Sequence, residues 1–410
     1  MKNKIFLITA LLFILKTSTF AQWTIINSGT SNSLNRVDFP SVNVGYVLPF
    51  NGQLLRTVNG GTTWDSLSSL TLIGDPWFDS NDISFVNDSV GFVTTHNNNG
   101  NIKLYKTTDM ANTWMDLTPD SNLWGFLKVQ FLNYQRGYLY LYSTAGDRSW
   151  ITNDGGATWT ELALGFGLGS GTSSIPTMFF VNDSSGYLAG GDGSFGYQGK
   201  IARTNDAGQS WSLTILPAAY TLINSIHFPN KDTGYVVTRN GGIFRSADEG
   251  STWDSITTLN ITTYSRIFFT DGSTGFIISG SNIYKTLDAG LSWTIDFSSA
   301  TGINLNGVDF LDNTVGYVVG NNGTIVKNSI SNGIENLNST KDLLTIYPNP
   351  FSMQTTLQTD KIFKDATLTV YNSFGQQLKQ IKNISGQTVT LFRDNLPSGL
   401  YVIRLAEVDK

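Results

Sequence analysis

The chain has 410 residues, a net charge of −5 and a pI near 5.1, with 40% hydrophobic and only 14% charged residues. The absence of clustered Lys and Arg excludes a nucleic-acid surface, and the absence of cysteine excludes disulfides, thiol chemistry and thiolate metal sites. The two histidines, His96 and His227, have no ligand-spaced partners, so neither a metal nor a cofactor is expected. Abundant Gly, Thr, Ser, Asn, Val, Ile and aromatics favour short strands and tight turns, an all-β fold.

The N-terminus carries Lys2 and Lys4, an apolar run from Ile5 to Leu15, and small residues at Thr19 and Ala21. This pattern reads as a signal peptide, residues 1–21, cleaved after Ala21. No later stretch is long and apolar enough for a helical span, so no transmembrane segment is expected after cleavage.

From residue 22 onward two motifs alternate. The first is Phe, five residues, Gly and an aromatic, as in Phe39…Gly45-Tyr46 and Phe310…Gly316-Tyr317. Its seven phenylalanines are Phe39, Phe85, Phe131, Phe180, Phe228, Phe269 and Phe310, spaced 46, 46, 49, 48, 41 and 41 residues apart. A period in that range indicates propeller blades. The second motif is a box, Ser/Thr-x-Asp-x-Gly-x-Ser/Thr-Trp. Its acidic and Trp positions are Asn59 and Trp64, Asp109 and Trp114, Asp154 and Trp159, Asp206 and Trp211, Asp248 and Trp253, and Asp288 and Trp293. Asn59 replaces Asp in the first copy, and Ala111 replaces Gly in the second.

Each unit predicts four strands: A ends at the Phe, B begins at the Gly-aromatic pair, C leads into the box, and D follows the Trp. The box is turn chemistry. Its Asp accepts backbone N–H bonds and its Gly takes a positive φ, while the Trp is a large apolar plug. Seven Phe-Gly motifs meet only six boxes, because Asn328 stands where the others have Thr or Ser and no Trp follows. Trp23 precedes Phe39 by 16 residues, as Trp253 precedes Phe269. The mature N-terminal strand is therefore expected to be strand D of the last blade, closing a seven-bladed ring over residues 22–330 and protecting its sheet edges. The box resembles the bacterial neuraminidase repeat, and the whole unit resembles the propeller family of photosystem II assembly factors, whose members are non-catalytic assembly scaffolds.

Residues 331–342 are polar, break the repeat and read as a linker. Three further segments follow: Ile346-Tyr347-Pro348-Asn349-Pro350-Phe351, Leu368–Gln376 and Leu396–Leu405. They alternate like strands between Pro and Gly turns and predict a small Ig-like β-sandwich over 343–410. In this order they resemble the C-terminal sorting domain of the type IX secretion system. The resemblance implies that the secretion machinery is a partner of 343–410. It also implies export through the periplasm, to the outer surface or beyond the cell.

In a propeller the A–B turns and boxes share one face. The B–C connections, long in blades 2 to 4, and the D–A connections, long before blades 2 and 4, occupy the other. Variable loops on a rigid scaffold are where binding resides. On that face Trp77, Trp124 and Tyr220 occupy equivalent loops before Phe85, Phe131 and Phe228, with Asp75, Asp79 and Asp192 as polar neighbours. They are the candidate ligand-binding residues. Trp150 lies in a strand C and belongs to the core. Arg36 and Arg266 share one position, three residues before the repeat Phe, which is too few arginines for a carboxylate-binding cluster. No nucleophile elbow, phosphate loop or metal motif occurs. The expectation is a monomeric, secreted or surface-attached module binding a glycan or protein; the alternative is an extracellular propeller-type glycoside hydrolase.

Overall fold

The computed structural model of the chain describes residues 22–72, 82–96, 101–120, 123, 125–143, 146–168, 177–192, 198–217, 221–261, 265–300, 302–329, 345–348, 352–372, 376–394, 396 and 401–407. The chain divides into two compact units, Met1–Ser331 and Asn332–Lys410. The first holds seven four-stranded antiparallel sheets. Blade 1 consists of Leu34–Asp38 (A), Gly45–Pro49 (B), Gly52–Thr57 (C) and Asp65–Leu72 (D). Strands A of blades 2 to 7 are Asp82–Phe85, Phe126–Phe131, Thr177–Phe180, Ile223–His227, Ser265–Phe269 and Leu305–Phe310. These seven strands touch one another in a closed circle around the axis.

Blade 7 takes its fourth strand from the other end of the sequence. Gln22–Asn27 pairs antiparallel with Thr324–Ser329, setting Trp23 opposite Asn328 and Ile25 opposite Val326. The ring is thus closed by the N-terminal strand, as the unequal number of boxes and Phe-Gly motifs implies.

The Phe-Gly-aromatic motif is the seam between blades. Each motif Phe lies flat on the Gly of its own blade, where an added Cβ would come within 2.2–2.6 Å of the ring. The same ring stacks on the motif aromatic of the preceding blade. The seven pairs, from Tyr46–Phe85 through Phe276–Phe310 to the closing Tyr317–Phe39, have centroids 3.3–4.2 Å apart. Trp64, Trp159, Trp211, Trp253 and Trp293 add an edge-on contact to the Phe of their own blade, at 5.8–6.3 Å. Each stacked pair contributes about 0.5–1.5 kcal/mol beyond its buried area. Gly45→Ala should therefore drive Phe39 off its stack and cost at least about 1–3 kcal/mol in denaturant unfolding. An unchanged midpoint would show that the seam tolerates the methyl group.

The box folds as its residues predict, with one addition. Thr152 Oγ1 donates to Asp154 Oδ1 (2.8 Å) and accepts from Gly156 N–H (2.9 Å). Asp154 then accepts the N–H and hydroxyl of Thr158 at 2.9 and 2.6 Å, and these bonds hold its carboxyl down at about 2. Two successive residues take positive φ, not one: Gly155 and Gly156 here, Met110 and Ala111 in blade 2, Glu249 and Gly250 in blade 5. Asn59 keeps this geometry by donating its amide to Thr63 Oγ1 at 2.8 Å.

The second unit forms one four-stranded antiparallel sheet of Thr345–Tyr347, Gln354–Asn372, Gln377–Phe392 and Tyr401–Glu407. Register breaks between Gln358 and Leu368 divide its two long strands. Leu357 and Leu391 on one side of the break share a core with Leu368, Val370 and Ile384 on the other, so the sheet doubles over itself as a small sandwich.

Candidate functional site

The boxes and A–B turns occupy one face. In blade 3, Gly155 N–H donates to Gln135 O at 2.8 Å, and in blade 1 Gly60 N–H donates to Asn43 O at 2.8 Å. The B–C and D–A connections lie at the opposite ends of the strands. Of the candidate ligand-binding residues, Asp75, Trp77, Asp79, Trp124 and Tyr220 fall outside the described residues. Asp192 ends a strand B opposite Gln198, and its side chain too is outside them.

Two tiers of strand-A side chains form the wall around the axis. The residue before each motif Phe is Asp38, Ser84, Gln130, Phe179, His227, Phe268 or Asp309. The polar members all bond to the N–H of the next blade's Phe. Asp309 accepts from Phe39 (2.7 Å), Asp38 from Phe85 (2.6 Å), Ser84 from Phe131 (3.0 Å), Gln130 from Phe180 (2.7 Å), and His227 Nδ1 from Phe269 (3.2 Å). Phe179 and Phe268 flank the imidazole at 4.9 and 4.3 Å. The His227 Nδ1 is thereby an acceptor, which puts the proton of the neutral ring on Nε2. Burial keeps it neutral, lowering its pKa to about 3. Burial also pushes Asp309 up to about 6, and burial together with the charge of Asp309 raises Asp38 well above the usual carboxylate range.

The second tier lies two residues earlier. Arg36 Nε pairs with Asp82 Oδ1 at 3.0 Å, and Asp82 Oδ2 accepts from Val129 N–H at 3.2 Å. Arg266 Nε donates to Asn306 O at 2.5 Å. Both arginines therefore reach the neighbouring blade rather than converging on a common anion. Asp38, Asp82 and Asp309 are likewise occupied in blade-to-blade bonds.

One described cluster shapes the variable face. Asp147, in the B–C connection of blade 3, accepts from Tyr140 Oη and from Leu168 N–H, both at 2.9 Å. Burial raises its pKa. Tyr140 is fully buried, in a strand-B position that is aliphatic in most other blades, and Leu168 belongs to the following D–A connection. The bond thus pins two loops together. Beside it Arg148 forks onto Glu161 (2.8 Å), bonds Asp120 (3.0 Å) and lies over the buried Trp150 ring. Sequence reasoning passed over Asp147 and the axial tier. The tier's signal was the recurrence of polar residues immediately before the motif Phe.

Residues 345–410 match the family described as secretion system C-terminal sorting domain. No curated protein matches the chain. Among solved structures the chain is similar to YCF48 bound to D1 peptide, at 16% identity and TM-score 0.58, covering 75% of this chain and 96% of that one. It is similar to the GH74 xyloglucanase of Xanthomonas campestris, at 12% identity and TM-score 0.58, covering 76% of this chain and 54% of that one. PorZ, a surface component of the type IX secretion system of Porphyromonas gingivalis, aligns at 14% identity and TM-score 0.50, covering 93% of this chain and 58% of that one. At these identities the likeness is one of fold. No helix among the described residues is long and apolar enough to cross a membrane. The chain is a β-propeller protein whose C-terminal sorting domain directs it through type IX secretion to the cell surface or the extracellular space.

Proposed function

We propose that the propeller, residues 22–330, is a non-catalytic binding module that presents a glycan or protein partner site on its variable-loop face. In this reading residues 331–342 are a linker, and 343–410 serve the secretion machinery. The supporting observation is the engagement of the axial wall. Asp38, Asp82, Asp309, Arg36 and Arg266 are bound from blade to blade, leaving the wall a scaffold rather than a set of poised reactive groups. The long connections of blades 2 to 4, two of them pinned by Asp147, are then the surface that varies. Trp77, Trp124 and Tyr220 would stack on the partner, with Asp75, Asp79 and Asp192 supplying polar contacts. YCF48, similar in fold, is known with a bound peptide.

Trp77→Ala and Trp124→Ala are expected to weaken binding on a glycan array or to a captured protein partner about tenfold or more, at unchanged thermal stability. A loss of stability alone would assign both rings to packing. A second reading, a propeller-type glycoside hydrolase, is favoured by Asp147, whose raised pKa suits a general acid. Release of reducing ends from polysaccharides by the wild-type protein, abolished in Asp147→Asn, would establish that reading instead.

A further inference from the structure

The tier of the wall next to the motif Phe is not uniform around the axis. In blades 4, 5 and 6 it consists of Phe179, His227 and Phe268, with the imidazole between the two rings at 4.9 and 4.3 Å. In blades 7 and 1 it consists of Asp309 and Asp38, and the polar arc continues through blades 2 and 3. One side of the channel is thus aromatic, and the remainder is polar with two adjacent carboxylates. All five of these side chains keep part of their surface exposed although they stand on the innermost strands, so the channel is open beside them. The tier lies one residue from the constant face. The A–B turns that rim the channel there, 40–44, 86–90, 132–136, 181–185, 229–233, 270–274 and 311–315, are all described residues.

Asp38 and Asp309 each commit one oxygen to the blade-to-blade bond. Oδ2 of Asp309 holds Phe39 N–H, and Oδ2 of Asp38 holds Phe85 N–H. Among the described residues neither carboxylate receives a side-chain hydrogen bond or forms an ion pair, and neither Oδ1 is buried, so both face the open channel. Two neighbouring carboxylates without a cation repel each other, which together with burial raises the pKa of Asp38. The pair therefore calls for positive charge. A metal ion does not suit the place. Calcium takes about six to eight oxygens, the aromatic arc supplies none, and no group of three or more acidic or imidazole side chains that could hold a metal occurs among the described residues. A cation that brings its own apolar body satisfies both arcs at once.

We propose that the constant-face mouth of the axial channel binds a primary ammonium group carried on an apolar body. The nitrogen would sit between Asp38 and Asp309 and donate to their Oδ1 atoms, as charge-assisted bonds. The body would lie against Phe179, His227 and Phe268, whose rings favour both hydrocarbon and positive charge. The blade-to-blade bonds of Oδ2 stay in place, so binding leaves the ring intact. The site is at the other end of the channel from the variable loops, and it is independent of the partner proposed there.

The test is isothermal titration calorimetry of the full-length protein with hexylamine near neutral pH, where the amine is protonated. Saturable binding is expected. The same body without the positive charge, as 1-hexanol or hexanoate, should not bind. Asp38→Asn and Asp309→Asn, which keep an acceptor for the Phe N–H, should each weaken hexylamine at least about tenfold. Phe268→Leu should weaken it at least about threefold. Should Asp38→Asn fail to fold, the other two variants carry the test. Binding of N-acetyl-lysine methylamide as tight as that of hexylamine would identify the ligand as a lysine side chain of another protein; binding of hexylamine alone would identify a free amine. Absence of saturable binding, binding of 1-hexanol as tight as that of hexylamine, or binding indifferent to both Asn variants overturns the proposal. Competition by calcium would assign the carboxylates to a metal ion and overturn it as well.

Discussion

Trp23→Ala is expected to destabilise the propeller by about 3–5 kcal/mol, the range for removing a buried aromatic. Trp23 is 8% exposed and lies edge-on to Phe276 (6.1 Å) and Phe310 (5.9 Å), so one side chain joins blades 6 and 7. Its Nε1 donates to Asp296 Oδ2 at 2.6 Å, a charge-assisted bond. By contrast, the indole nitrogens of Trp64, Trp159 and Trp211 are buried without a partner. Strand D in blade 6 carries Asp296 where blades 1 to 3 have leucine, so this bond is particular to the closing strand. Asp296→Leu should cost about 1–3 kcal/mol, chiefly by leaving the indole N–H unpaired. Both variants are read from urea midpoints. Deleting residues 22–30 should remove the cooperative transition altogether, because Leu305–Ser329 would then end in an exposed edge. A deletion protein that unfolds at the wild-type midpoint would refute closure by this strand.

Stability should fall as pH rises through about 6. On the acid side it should fall as well, because His227, held neutral by burial, loses its contribution as pH drops from its ordinary value of about 6.5 towards 3. Burial raises the Asp309 carboxyl to about 6, so the folded state favours its neutral form. That contribution is complete below the ordinary aspartate value of about 4 and is lost as pH rises through about 6. Asp38, raised by burial and by Asp309, acts in the same direction. The expected loss on the alkaline side is about 2 kcal/mol, below the full shift because the wall remains in contact with water. Asp109, Asp154 and Asp288 in the boxes act oppositely. The hydroxyl and N–H four residues on hold them at about 2, so their contribution disappears as pH falls from about 4 towards 2. Asp309→Asn keeps an acceptor for Phe39 N–H and should flatten the alkaline limb while leaving the acid limb in place. An alkaline decline of unchanged size in that variant would show that Asp309 does not cause it.

Much of the architecture is local and therefore legible in one dimension. The spacing from Phe to Gly records a ring lying on a bare strand, which only glycine permits, and the box records a turn whose bonds run within seven residues. Both repeat because each blade must meet the next in the same way. The displaced Trp23 revealed the closure by the same logic, since a missing element at one end matched an extra one at the other. The axial wall was less legible. Asp38, Ser84, Gln130, His227 and Asp309 differ in chemistry and share only a position, and their common task, bonding the next blade's Phe N–H, appears once the blades are side by side. Asp147 is a similar case, since its partners Tyr140 and Leu168 lie 7 and 21 residues away on different strands and loops.

By itself the sequence determined the repeat, the number of blades, the closing strand and the export signal at residues 345–410, because each is written in short-range spacing or contiguous motif. The tertiary structure alone decided which polar residues are consumed in holding blades together and which stand without partners. Whether Arg36 binds a ligand or Asp82 depends on what the ring places beside it, and that neighbour comes from the next blade, 46 residues along the chain.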